Sequence, residues 1–169
     1  MAMDPGSADV PVLTDREGKA PPPPNSDGEP VQWMTLALAA DERSRLRGHR
    51  RSSCGRDLVL QLPRGEALQP GEWLSSAAGG VLVQVEAALE PLLVVTAAAP
   101  EDLLQAAYHL GNRHVALQVS SQELRLLEDP VLADLLRRRG LQVERLLAPF
   151  LPEPGAYGGY GRVHRHAQP

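Results

Sequence analysis

The sequence predicts an α+β protein, with an N-terminal all-β domain followed by a C-terminal ferredoxin-like βαββαβ domain and a flexible C-terminal tail. Three observations carry this. Between Gln32 and Ala97, short apolar runs alternate with Gly and Pro turn signals, as in a small sandwich or meander. From Leu89 onward, strand-length apolar runs alternate with two stretches of helical periodicity. Beyond Leu151 the chain is rich in Pro and Gly. The expected domains are 1–88, with 1–32 a partly disordered Pro-rich segment, then 89–152, with 153–169 as the tail.

Composition sets bounds on function. The 169 residues are enough for two small domains. Hydrophobic residues make up 43% but aromatics only 4%, so the cores must be built from Leu, Val and Ala. A net charge of −4 argues against a dedicated nucleic-acid binder. The single cysteine, Cys54, can form neither an internal disulfide nor a thiolate cluster, which points to a reducing, cytoplasmic setting. The first residues lack the basic region and apolar core of a signal peptide. The longest apolar run, Leu92 to Ala99, is far short of the ~20 residues of a spanning helix. There is no GxSxG, no phosphate-binding Gly loop with Lys, no CxxC and no HExxH, so an enzyme is not expected.

In the first domain, Val10–Thr14 reads as a short strand before the extended loop Ala20–Gly28. Trp33–Leu38 is the next strand. Arg43–Arg47 alternates basic with small or apolar residues, as a half-exposed strand would. Leu58–Leu62, Trp73–Leu74 and Val81–Val85 follow, separated by turns at Arg64-Gly65, Pro70-Gly71 and Gly79-Gly80. The block Arg43, Arg45, Arg47, His49, Arg50, Arg51, Arg56 reads either as a phosphate-binding patch or as a solvated strand face and turn. The second is favoured, since few aromatics are interleaved for base stacking. Cys54 lies in this turn, where neighbouring arginines would lower its pKa; it reads as an incidental thiol.

In the second domain, Leu92–Thr96 is a strand. A helix runs from Pro100, with Leu103, Ala107 and Leu110 at helical spacing, and Leu104 and Tyr108 likewise. Glu101 and Asp102 suit the positive end of its dipole. Gly111-Asn112 is the expected stop, because both tolerate the left-handed conformation. Val115–Val119 and Leu124–Leu127 make a hairpin through Ser120–Gln122. Asp129 caps a second helix, Pro130 opens it, Arg137 to Arg139 meet its negative end and Gly140 closes it. Its expected apolar face is Val131, Leu132, Leu135 and Leu136. Leu141–Leu147 is the last strand, which completes the order βαββαβ.

The histidines are the candidate metal ligands. His109 and His114 are five residues apart, which on a helix diverge by about 140°, so they make a poor intrachain chelate. On residue chemistry alone, His114 is either a hydrogen-bonded structural histidine or a ligand completed from elsewhere: the tail, another loop or a second copy of the chain. His164 and His166 are two apart and face one side of an extended chain. They are either a shared ligand pair or incidental. An imidazole-only site suits divalent nickel, copper and zinc, with copper usually tightest. Ligand imidazoles must be neutral, so metal binding should weaken below about pH 6.5.

Four stretches, in order from about Met34 to Gly158, bear a family resemblance. Tyr108-His-Leu-Gly-Asn-Arg-His114, followed by Leu117-Gln118, resembles the signature of the urease accessory nickel metallochaperones, the UreE family. Leu62-Pro-Arg-Gly65 with Leu68-Gln-Pro-Gly71, Arg43-Ser-Arg-Leu-Arg47, and Pro149-Phe-Leu-Pro-Glu-Pro-Gly-Ala-Tyr157 resemble further segments of that family. The resemblance implies an N-terminal protein-docking module and a homodimer through the ferredoxin-like domains. It places HLGNRH at the shared surface, where a two-fold axis would bring two His114 together. It implies nickel(II) as cargo, with zinc or copper(II) bound in vitro, and the tail histidines or water filling remaining positions. His109 matches the motif and is a secondary candidate. The implied partners are the urease apoprotein and its accessory proteins, including a GTPase; neither nucleic acid nor membrane is expected. Two departures matter. Leu126–Pro130 lacks the histidines that some relatives carry there, and the tail offers only His164 and His166, so delivery with little storage is expected. The rival reading is a metal-independent protein-interaction or RNA-binding scaffold.

Overall fold

The computed structural model describes residues 10–21 and 31–154. The chain divides into two compact units, Met1–Ala88 and Leu89–Pro169. Each has its own apolar core.

The first unit contains β1 (Val12–Leu13), β2 (Asp15–Gly18), β3 (Gln32–Leu38), β4 (Arg47–Arg51), β5 (Asp57–Gln61), β6 (Trp73–Ser75) and β7 (Val81–Ala87). They form two sheets, ordered β1-β5-β4 and β2-β6-β7-β3. Leu13, Leu58 and Leu60 of the first sheet share one core with Met34, Leu36, Leu38, Leu74 and Val83 of the second, which makes a sandwich. The period-two pattern puts them there. On β3, Met34, Leu36 and Leu38 are buried while Trp33 and Ala37 are exposed.

The expected strand at Arg43–Arg47 is not formed. Glu42–Ser44 is a single 3-10 turn, and the strand begins at Arg47. Local polar groups outcompete a ladder there: the Ala39 amide donates to the Glu42 carboxylate at 3.0 Å, and the Ser44 hydroxyl donates to the Asp41 carbonyl at 2.6 Å. Arg43 is consequently buried, not displayed on a solvated face. The Pro-rich segment at 22–30 lies outside the described residues.

The second unit runs β8 (Leu89–Thr96), α1 (Pro100–Gly111), β9 (Gln118–Val119), β10 (Leu124–Leu127), α2 (Pro130–Arg138) and β11 (Gln142–Pro149). Its sheet is ordered β11-β8-β10-β9, with β8 antiparallel to both of its neighbours. Strand β10 therefore lies between β8 and β9, the two strands joined by the α1 crossover. This is the βαββαβ arrangement the sequence predicts. Leu93 and Val95 from β8, with Leu124 and Leu126 from β10, pack against Leu103, Ala106 and Leu110 of α1 and Ala133 and Leu136 of α2 in one cluster.

The signals at the second helix act as their chemistry requires. The Asp129 carboxylate accepts from the amides of Val131 at 2.8 Å and Leu132 at 2.9 Å. Gly140 ends the helix at φ 82°. The apolar face is rotated from the expected one. Ala133 and Leu136 are buried, Leu132 and Leu135 are half-buried, and Val131 is 74% exposed. The pattern of large apolar residues pulled the expected face toward Val131, because the small inward residue Ala133 gives little hydrophobic signal.

Candidate metal site

Helix α1 presents two faces. Leu103, Ala106 and Leu110 are buried in the core, with Ala107 partly buried against it. Leu104 and Tyr108, one turn apart, face outward and are 70% and 66% exposed. The sequence shows this second stripe but not its direction. An exposed pair of large apolar residues is the feature that pattern reading missed.

The end of α1 differs from the expected stop. Gly111 is still helical, and Asn112 keeps right-handed angles, φ −63° and ψ −19°. The left-handed residue is His114, at φ 57°, and it is the one non-glycine with positive φ among the described residues. Two main-chain bonds lock it: Val115 N–H to the Leu110 carbonyl at 3.1 Å, and His114 N–H to the Gly111 carbonyl at 2.9 Å. These are the nested bonds of a Schellman motif. Helix α2 ends the same way, Leu141 N–H to Leu136 at 3.2 Å and Gly140 N–H to Arg137 at 2.9 Å. His114 therefore holds the position that Gly140 holds in the other helix. This also shortens the following strand. Val115 and Ala116 follow the helix closure without joining the sheet, and β9 begins only at Gln118.

His109 and His114 sit on different parts of this helix end. His109 is half-buried in the last turn, with its ring edge-on to Tyr108 and the centroids 5.5 Å apart. Its carbonyl accepts from Arg113 Nη1 at 3.1 Å, so the Arg113 guanidinium covers a helix C-terminal carbonyl. His114 is exposed. Among the described residues, no three His, Cys, Asp or Glu side chains are grouped as a metal ion would need. His164 and His166 lie outside the described residues. The root of their segment is described, however. After β11 the Leu151 amide donates to Gln118 Oε1 at 3.1 Å, and the Glu153 amide donates to the Leu117 carbonyl at 2.7 Å. The chain is thus tied back to the stretch that follows His114.

The arginine block of the first unit is used internally. Arg50 donates to the carbonyls of His49 at 2.7 Å and Arg45 at 3.0 Å. Arg51 donates to Gly55, Arg56 to Gln32, and Arg45 pairs with Asp41. These contacts hold the β4 edge and its turn. Beside them, Cys54 is exposed, and its thiol lies 3.2 Å from the Ser52 hydroxyl. That hydrogen bond, then the Arg56 backbone, hold its pKa below the ordinary thiol value. The sign follows directly: a depressed pKa means more thiolate at neutral pH. The rate of Cys54 alkylation by iodoacetamide should therefore inflect at lower pH than that of a model thiol, and Ser52→Ala should move the inflection upward. Identical inflections in the two proteins would remove Ser52 as the cause.

A β-sandwich unit followed by a ferredoxin-like unit, whose first helix ends on an exposed, left-handed histidine, defines a two-unit α+β protein. Comparison with known proteins gives the particular family. The family model described as UreE urease accessory protein, N-terminal domain, matches residues 20–88, and the corresponding C-terminal domain model matches residues 90–169. The protein named urease accessory protein UreE of Parasynechococcus marenigrum is 59% identical over 127 residues, 75% of this chain and 85% of the relative. That of Synechococcus sp. (strain CC9311) is 55% identical over 134 residues, 79% of this chain and 84% of the relative. That of Thermosynechococcus vestitus is 50% identical, covering 76% of this chain and 90% of the relative. The chain belongs to the UreE urease accessory protein family.

Proposed function

We propose that this chain is a urease accessory metallochaperone. It binds nickel(II) as cargo through histidines at a homodimer interface and delivers it for assembly of the urease metallocentre. The observation that carries this reading is His114, exposed and locked in a left-handed conformation at the tip of α1, beside the outward stripe of Leu104 and Tyr108. A conformation that costs energy, placed on an exposed imidazole, fits a functional ligand better than a structural histidine. The apolar stripe gives a second copy a surface to bury, and a two-fold axis there pairs His114 with its twin.

The tail histidines complete the site in this reading. His164 lies ten residues beyond Pro154, the last described residue. An extended chain of that length spans up to about 35 Å. Since the segment starts tied to Leu117 and Gln118, His164 and His166 have the reach to join His114. His109 is a secondary ligand, because its ring is turned against Tyr108. Imidazole donors also accept zinc and copper(II), so selectivity for nickel arises from geometry and supply. The ion passes to the urease apoprotein through accessory proteins, including the GTPase, in the cytoplasm. No helix among the described residues is long and apolar enough to cross a membrane.

His114→Ala tests the assignment. Calorimetry with nickel(II) should show the tight site, one ion for two chains, abolished. Unchanged stoichiometry and affinity would refute the role of His114. Retention on immobilised nickel equal in both proteins, and lost only when the tail is removed, would favour the metal-independent scaffold.

A further inference from the structure

The chain leaves β11 at one edge of the second unit's sheet, yet four residues later it is held at the other. Strands β11 and β9 are the two edges, with β8 and β10 between them. Three strand spacings separate them, about 14 Å. β11 ends at Pro149, and Phe150 is fully buried. Beyond it, Leu151 is 47% exposed and Glu153 is exposed, so apolar burial does little to hold this stretch. Two main-chain amides hold it instead. Leu151 N–H donates to Gln118 Oε1 at 3.1 Å, and Glu153 N–H donates to the Leu117 carbonyl at 2.7 Å. A main-chain amide only donates, so the oxygen of the Gln118 side chain, not its nitrogen, faces Leu151.

Leu117 is three residues from His114, at most about 11 Å along an extended chain. Glu153 is therefore fixed close to His114, and His164 follows eleven residues on. Released from the two bonds, the tail would start from Pro149 at the far edge of the sheet, fifteen residues before His164. The effective concentration of a tethered ligand falls as its tether lengthens, and falls further when the tether starts farther away. We infer that Gln118 is a positioning residue for the nickel(II) site: its side-chain oxygen catches the chain after β11 and roots the tail beside His114, which raises the effective concentration of the His164 and His166 imidazoles there. The inference rests on those histidines being ligands, as proposed above, and names the residue that brings them to the ion. Gln118 acts through the tail and is not itself a ligand.

The test uses the full chain, nickel(II) ions alone and calorimetry at pH 8. Gln118→Leu removes the acceptor and keeps the bulk, whereas Gln118→Glu keeps an acceptor oxygen. Each is measured in wild type and in the His164→Ala/His166→Ala background. Leu151 is exposed to water, so its amide keeps a partner and both variants should fold, with wild-type melting in chelator. Gln118→Leu should weaken nickel binding about fivefold in the wild-type background, through the longer and displaced tether. It should have no effect in the tail-histidine background, a coupling that a general structural fault would not produce. Gln118→Glu should bind as wild type; a loss equal to that of Gln118→Leu would deny the oxygen its role. Equal weakening by Gln118→Leu in both backgrounds would overturn the inference, because Gln118 would then act on His114 without the tail. Full affinity in Gln118→Leu, with binding weakened by His164→Ala/His166→Ala, would also overturn it and leave the tail ligands standing. Unchanged binding in His164→Ala/His166→Ala would overturn the tail ligands and the inference together.

Discussion

His114→Gly should yield a protein that is more stable without metal and less able to hold nickel. Two opposed terms set the first effect. A left-handed conformation costs a non-glycine residue about 1–2 kcal/mol, and glycine removes that cost. Glycine in turn loses more backbone freedom on folding, by about 0.5–1 kcal/mol. The exposed imidazole contributes little packing to set against this. The net gain is roughly 0.5–1 kcal/mol, a rise in Tm of about 2–4 °C. Helix α2 provides the internal comparison, since it closes the same pair of main-chain bonds with Gly140 at φ 82°.

The second effect reverses the order. A ligand that binds only the folded state stabilises it by about 2.7 kcal/mol at a hundredfold excess over Kd. Wild type should gain this with saturating nickel(II), and His114→Gly should not. In thermal melts at pH 8 the variant should melt higher in chelator and lower in nickel. A variant that melts below wild type in both conditions would show that the left-handed histidine costs nothing. One that keeps the nickel shift would show that another residue binds the ion.

The same helix end shows what sequence could and could not disclose. The existence and order of the elements were legible, because strand and helix periods differ and because Asp129, Pro130 and Gly140 are strong punctuation. The βαββαβ order followed from them. The end of α1 was misplaced because Gly111-Asn112 permits a left-handed turn without requiring one; the chain carries the helix past both and turns at His114. Histidine enters that conformation more readily than most non-glycine residues, but Gly111 and Asn112 are the stronger local signals for it. Likewise Arg43–Arg47 alternates as a strand would, yet Asp41, Glu42 and Ser44 bind nearby backbone groups and make a turn. In the candidate site, His109 and His114 were visible as residues, and so was the helix end that falls between them. The outward direction of Leu104 and Tyr108 was not. Which of two apolar stripes meets the core is decided by the sheet beneath, and β8 and β10 select Leu103 and Leu110.

Leu110 joins that core to the site, and Leu110→Ala should damage both. Its side chain is buried, 1% exposed, within the cluster formed by β8, β10 and the two helices. Its carbonyl accepts the amides of both Arg113 at 3.0 Å and Val115 at 3.1 Å, and Val115 packs against the same cluster. Truncation should cost about 2–5 kcal/mol through lost burial and the cavity left behind. The apolar contact that accompanies a Schellman closure is lost with it, so His114 should be held less firmly. Leu93→Ala is the control. Leu93 is equally buried, on the central strand β8, and touches the site only through the shared core. Its truncation should cost a similar amount of stability. At a temperature where both variants remain folded, nickel affinity should fall in Leu110→Ala and hold in Leu93→Ala, because ligand preorganisation depends on the helix end and not on overall stability. Equal affinities in the two would mean that the imidazole is placed by something other than the closure of α1.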